Sequence, residues 1–126
     1  MLEIQIKTTK ETETMLKKFP ERVRPALVSA MQQGAAFLEA ETKKSFGTGS
    51  YPKVRTGHLK RSIYNKVYER AANVIGVIGT EVIYGKFLEE GTKHMKARPF
   101  LRPTVERNET KLSTFITNII SQELNK

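Results

Sequence analysis

The chain of 126 residues has no cysteine. Disulfides and thiolate metal sites are therefore excluded, and the composition suits folding in a reducing cytoplasm. Apolar residues are scarce at 38%, so the core is thin for this length, and burial completed against neighbouring subunits would suit it. The longest apolar runs fall far short of the ~20 residues that span a bilayer. The opening residues Leu2, Ile4 and Ile6 alternate with Glu3, Gln5 and Lys7. That is the pattern of a half-buried strand, whereas a signal peptide needs a continuous apolar stretch. No His/Asp/Glu spacing matches a metal-ligand set, no nucleophile stands beside a base, and no glycine run is built to cradle phosphate. No metal, cofactor or catalytic group is expected. The only histidines, His58 and His94, each lie in a basic stretch. A nuclease pairing His58 with Arg55 or Lys60 can be drawn, because imidazole titrates near neutrality. Surface histidines in solvated basic loops are the simpler explanation.

What the chain has in excess is positive charge, +9 in all, and it is unevenly placed. From Lys43 to Lys66 there are seven basic residues (Lys43, Lys44, Lys53, Arg55, Lys60, Arg61, Lys66) and no acid. Residues 86–107 add six basic residues against three acids, and the remaining segments nearly cancel. The charge therefore sits in two connecting regions and not along the helices. Such clusters attract polyanions at long range, or serve as a solvated face with interface ion pairs.

The periodicity gives a coarse order of elements. A strand over residues 1–8 is followed by a polar helix from about Lys10 to Lys18, which Phe19-Pro20 breaks. A long helix, roughly Glu21 to Phe46, carries Val23, Leu27, Ala30, Met31, Gly34, Phe37, Leu38 and Glu41 as one stripe at three- and four-residue spacing. Pro25 is tolerable in the first turn, which sets the start near Arg22 to Arg24. Gly34 and the two alanines after it make a smooth patch suited to core packing or to the close approach of another backbone. Residues 47–57 read as a loop, expected to be mobile in the free protein and to order on assembly. Thr56 reads as the N-cap of a short turn over His58–Arg61. Ile63–Glu69 and Val74–Gly79 make an antiparallel hairpin joined by residues 70–73, with Gly76 and Gly79 marking a bulge or a close neighbour. Val82–Glu90 is a short helix with Ile83, Phe87 and Leu88 on one side, ended at Gly91 in a left-handed conformation. A last helix runs from Pro103, at its first position, to Leu124. The expected fold is one α+β domain over residues 1–126: a small, mostly antiparallel sheet of three to four strands packed against the long helix and the C-terminal helix.

Two further groups bear on chemistry. Glu89 and Glu90 are adjacent, so on a helix they diverge by about 100° and make a poor acid–base pair. Glu89 is expected to form exposed ion pairs with Lys86 or Lys93, or an intersubunit pair with Arg98 or Arg102. Tyr64 and Tyr68 share one face of their strand with Lys66 between them, an arrangement found on single-strand nucleic-acid platforms and equally in ordinary packing.

Three blocks in order resemble a known family. Thr56-Gly57-His58-Leu59-Lys60-Arg61-Ser62-Ile63 is similar to its threonine-glycine-x-leucine-x-x-serine-isoleucine signature. Tyr84, Phe87, Glu89, Gly91 and Thr92 are similar to its second block, and Arg98-Pro99-Phe100-Leu101-Arg102-Pro103 to its third. The family is the gene-product-ten-like tail-component family of long-tailed phages and prophages. The resemblance spans about residues 56–104, with Gly85 where an alanine is more usual. It implies a non-enzymatic neck or tail-completion protein that joins head to tail and assembles as a homo-oligomeric ring around the DNA channel. The implied partners are a head connector, tail tube or tail terminator, and the implied location is the virion, with the host cytoplasm during assembly and no membrane. Lys53, Arg55, Lys60, Arg61, Lys93, Lys96, Arg98 and Arg102 are then the expected contacts to a partner or to the DNA channel. The competing reading is a small basic nucleic-acid-binding module.

Overall fold

The computed structural model describes residues 2–6, 8–49, 52, 57–70 and 73–125. In chain order its elements are β1 (Leu2–Ile6), α1 (Lys10–Lys18), α2 (Pro20–Ser45), α3 (His58–Ser62), β2 (Tyr64–Arg70), β3 (Asn73–Thr80), α4 (Ile83–Glu90), α5 (Arg102–Arg107) and α6 (Glu109–Leu124). The expected α+β class is what forms. The sheet has three strands, all antiparallel, in the order β1-β3-β2. The β2–β3 connection is shorter than the sequence suggested, because Arg70 already pairs with Asn73. Residues 71–72 lie outside the described residues.

Two early departures concern helix starts. The first turn of α2 begins at Pro20, with the N–H groups of Arg22 and Val23 donating to the Phe19 carbonyl at 3.2 and 2.8 Å. Proline at the first helical position loses an N–H that would be unpaired anyway. Pro25 consequently lies inside the helix and not in its first turn. Pro25 and Glu21 are both exposed, so the Glu21 carbonyl that loses its partner is at a surface where water can serve it. The short α3 is capped at Gly57, which has a φ of +79° and makes no side-chain cap bond. The expected N-cap, Thr56, lies outside the described residues, as do Lys53 and Arg55 and part of the 47–57 loop.

The α2 stripe forms the spine of the core. Val23, Leu27, Ala30, Met31, Ala35 and Leu38 are all buried, joined by Ile6, Val74 and Ile78 from the inner face of the sheet and by Leu112, Ile116 and Ile120 from α6. Burying each large aliphatic side chain contributes roughly 1.5–3 kcal/mol. The smooth patch on α2 serves core packing: a Cβ on Gly34 would stand 3.1 Å from the Cδ2 of Leu112 on α6.

The C-terminal helix is interrupted, contrary to the continuous stripe in the sequence. Asn108 takes φ −103° and ψ 6°, and its Nδ2 donates to the Thr104 carbonyl at 2.9 Å. The same carbonyl also accepts the Asn108 N–H at 3.2 Å, so side chain and backbone share it, and helical geometry lapses at this residue between α5 and α6. Pro103 is accordingly the second residue of α5, after Arg102.

The sheet has two unlike faces. The inner face packs on α2. The outer face carries Glu3 and Gln5 of β1, Tyr64, Lys66, Tyr68 and Arg70 of β2, and Ile75, Val77 and Gly79 of β3, by the alternation of the register. Gly79 is a close-approach glycine and not a bulge, since pairing runs through it without a break. A Cβ there would run into the Leu2 carbonyl oxygen and would lie 3.1 Å from the Tyr64 hydroxyl. The gap lets Tyr64 on one edge strand donate to Glu3 Oε2 on the other at 2.6 Å, across the central strand. Burial, and then this bond and charge, hold the Tyr64 hydroxyl well above the usual phenol range.

Candidate assembly surface

Helix α4 is positioned by its neighbours on both sides. At its start, Thr80 Oγ1 accepts the Val82 N–H at 3.1 Å and lies 2.7 Å from Ser62 Oγ, while Ser62 Oγ donates to the Leu59 carbonyl. These bonds tie the end of α3 and the end of β3 to the entry of α4. Gly85 then lies flat on this floor: a Cβ on it would be 2.9 Å from both Leu59 Cδ1 and Thr80 Cγ2. The departure from the alanine more usual at this place in the motif thus coincides with a contact that leaves an alanine little room.

One turn further on, Glu89 is buried. The expected ion pairs with Lys86, Lys93, Arg98 or Arg102 are not what it makes. Its Oε1 accepts the N–H groups of Phe100 and Leu101 at 2.9 and 2.8 Å, and its Oε2 accepts that of Arg102 at 3.1 Å. These donors open α5 and have no helical carbonyl to reach. A carboxylate at that end is favoured by both the hydrogen bonds and the helix dipole. Glu89 is therefore a cap delivered from a different helix. The fully buried Phe100 rests on Phe46 with ring centroids 5.4 Å apart.

Between α4 and α5 the chain is pinned. The Gly91 N–H donates to the Phe87 carbonyl at 2.7 Å and that of Arg98 to the Leu88 carbonyl at 2.6 Å. Thr92 and Met95 exchange backbone bonds across a tight turn. Gly91 has the positive φ expected of it, +78°, but its ψ of 172° is extended and not left-handed helical, a region essentially reserved for glycine. Its missing Cβ also makes room for the Ala97 backbone.

The motif residues Leu59, Ser62, Gly85, Glu89, Gly91 and Phe100 thus build a clasp around α4. The outward side of the helix is different. Ile83 is 75% exposed, Phe87 46% and Tyr84 44%, and Met95 on the following turn is 39% exposed. Ile83 and Phe87 share a side, as the periodicity predicts, but Leu88, expected with them, is half-buried and packs against the core. The Ile83–Phe87 side is turned to solvent, while the inward side holds the buried Gly85 and Glu89 with Leu88 half-buried beside them. The amphipathic pattern is inverted, and exposed apolar clusters of this kind mark contact surfaces.

Among the described residues the structure brings part of each basic region to one end of this helix. His58 on α3 lies against Tyr84, ring centroids 6.4 Å apart, with Lys60 and Arg61 on the same short helix. Lys93, His94, Lys96 and Arg98 follow α4 and are exposed, as is Arg102. Arg24–Glu69, Lys43–Glu39 and Arg107–Glu41 are ion pairs elsewhere in the molecule. On the sheet's outer face Lys66 Nζ sits 4.9 Å from the Tyr64 ring centre and the Arg70 guanidinium 5.4 Å from that of Tyr68. Both rings already carry a cation, and the Tyr64 hydroxyl is tied to Glu3, which weakens the case for a base-stacking platform. Among the described residues no group of three or more His, Cys, Asp or Glu is placed to hold a metal ion, and no helix is long and apolar enough to cross a membrane.

Sequence reasoning missed the cap made by Glu89 and the outward turn of the α4 stripe. A signal for the first exists: two prolines, Pro99 and Pro103, bracket N–H groups at a helix start with no Ser, Thr, Asp or Asn just before them to accept those bonds.

The fold and the clasp define a small α+β subunit whose singled-out residues build a scaffold and display an apolar helix between basic connectors. The chain belongs to the family described as "Bacteriophage HK97-gp10, putative tail-component", whose model matches residues 10–91. It is thus a phage tail-component structural protein, one of the parts of a virion that contact other phage structural proteins. The match takes in α2, the first motif block and the second block as far as Gly91. It ends at Gly91, before the third block, so it lies further toward the N-terminus than the motifs alone implied. A search of curated proteins and a search of solved structures returned no match.

Proposed function

We propose that the protein is a neck or tail-completion subunit that joins head to tail and assembles as a ring around the DNA channel. It acts by docking, without catalysis, and is made and assembled in the host cytoplasm. The observation that carries this reading is the inverted helix α4, with its apolar side exposed and basic connectors at both ends. A monomer with no partner gains nothing from exposing Ile83 and Phe87, while a subunit that meets a head connector, tail tube or tail terminator uses them. Lys60, Arg61, Lys93, Lys96, Arg98 and Arg102, with Lys53 and Arg55, meet the DNA channel or an acidic neighbour. Ring closure requires head-to-tail contacts of the heterologous kind.

Reversing Lys60 and Arg61 to glutamate tests the reading. Both side chains are on a surface helix, so the domain should stay folded by circular dichroism while infected cells accumulate unjoined heads and tails in electron micrographs. Normal yields of complete particles would refute it. The nucleic-acid reading draws on the charge of +9 and on the Tyr64–Arg70 face. It predicts a log–log salt slope of several units for DNA binding, since each phosphate contact contributes about −0.7 to −0.9; a slope near zero removes it.

A further inference from the structure

A cleft lies between β1 and the α5–α6 pair, where Ile4, Ile6, Val105 and Leu112 share the lining about equally with the polar Gln5, Arg102, Glu106 and Glu109. Its volume is about 110 Å³. An apolar cavity of about 150 Å³ holds a benzene molecule, so this one has the scale of a single large side chain and cannot admit a helix. It runs beside β1, an edge strand of the sheet. The side of α4 that faces solvent offers the matching shape, since Ile83 and Phe87 project from one side of a helix as knobs.

The charges are matched as well. Around the α4 face the exposed ions are Lys86, Lys93 and Lys96, with Glu81 and Glu90 the acids among them. At the cleft they are Glu106 and Glu109, with Arg102 the cation. Majority and minority signs are opposite on the two surfaces, which favours contact between them and disfavours either surface meeting a copy of itself.

We propose that α4 of one copy of this chain docks in the β1–α5–α6 cleft of the next, an apolar side chain entering the cleft and the lysines facing Glu106 and Glu109. The contact joins two different patches, so it is heterologous and propagates from copy to copy, closing into a ring where the rotation permits. It deepens the assembly reading and rests on it. The occupant is a second copy because both halves of the match, apolar and electrostatic, are carried by one sequence.

The absence of cysteine makes the test clean. A Lys86→Cys/Glu106→Cys double variant of the full chain, treated with a short bismaleimide, should give a ladder of cross-linked oligomers. Each single variant has one reactive patch and should give no ladder. Adding Phe87→Asp to the double variant should lower the ladder by about tenfold or more, the scale of a lost anchor residue. Exchanging charges should rescue in part: a Lys86→Glu copy should pair with a Glu109→Lys copy better than either pairs with the parent. The proposal is overturned if the double variant gives no ladder, if Lys86→Cys alone dimerises as readily, or if Phe87→Asp leaves the ladder intact. Whether the protein is present in purified particles is read separately. Its absence there sinks the tail-joining reading, whereas presence without a ladder sinks only this contact.

Discussion

Helices α2 and α4 carry the same kind of apolar stripe and use it in opposite ways. On α2 the stripe of Val23, Leu27, Met31 and Leu38 is buried under the sheet and α6. On α4 the stripe of Ile83 and Phe87 faces solvent, and the helix is held from behind by Gly85 against Leu59 and by Glu89 on the start of α5. The difference teaches that the two helices answer to different partners. One completes its burial within the chain, and the other is held rigid so that its apolar side is presented outward.

Substitutions at four positions sharpen that comparison, in descending order of effect on the fold. Leu38→Ala should cost about 3–4 kcal/mol in denaturant unfolding, since it deletes the packing of Cγ and both Cδ atoms at a fully buried site. A loss under about 1 kcal/mol would mean that α2 is not the spine described. Glu89→Ala should cost about 3 kcal/mol, because it leaves the N–H groups of Phe100, Leu101 and Arg102 without their acceptor. Glu89→Gln keeps one acceptor oxygen and should lose roughly half as much. Equal losses for the two variants would argue that packing, and not capping, is what Glu89 supplies.

Gly85→Ala should destabilise by about 1 kcal/mol: the gain in helix propensity of roughly 1 kcal/mol is outweighed by overpacking against Leu59 and Thr80. A stabilised variant would show that the floor under α4 yields. The smallest effect concerns Tyr64. Its hydroxyl titrates higher in the folded state than in the unfolded chain, so its contribution is intact below the ordinary phenol value of about 10 and fades as pH rises through the folded value. Tyr64→Phe should therefore lose a little stability near neutrality and flatten the alkaline side of the stability–pH profile. An unchanged alkaline limb would remove the Tyr64–Glu3 bond from the account.

The sequence made the α2 stripe, the hairpin and the strand order's raw material readable, because periods of 3.6 and 2 report which side is apolar. Periodicity is silent on what covers that side, and so it groups Ile83 and Phe87 without a sign that they face outward and adds Leu88, which the fold turns toward the core. Glu89 looked exposed because it has Glu90 and Lys86 nearby in the chain, whereas its partners are eleven to thirteen residues away. The break at Asn108 was hidden because the stripe from Val105 to Leu112 continues across it in projection. Gly79 is legible as a bulge or a close approach, but deciding between them, and finding the neighbour it admits, a tyrosine reaching across to Glu3, needs the register of three strands.

The most direct test of the central claim is to place charge on the outer side of α4 and measure stability and incorporation together. An Ile83→Asp/Phe87→Asp variant should unfold within about 0.5 kcal/mol of the parent, as surface changes do, and yet be missing from purified tails. A variant that unfolds several kcal/mol earlier, or one that is incorporated normally, would contradict the claim that this helix is displayed for docking.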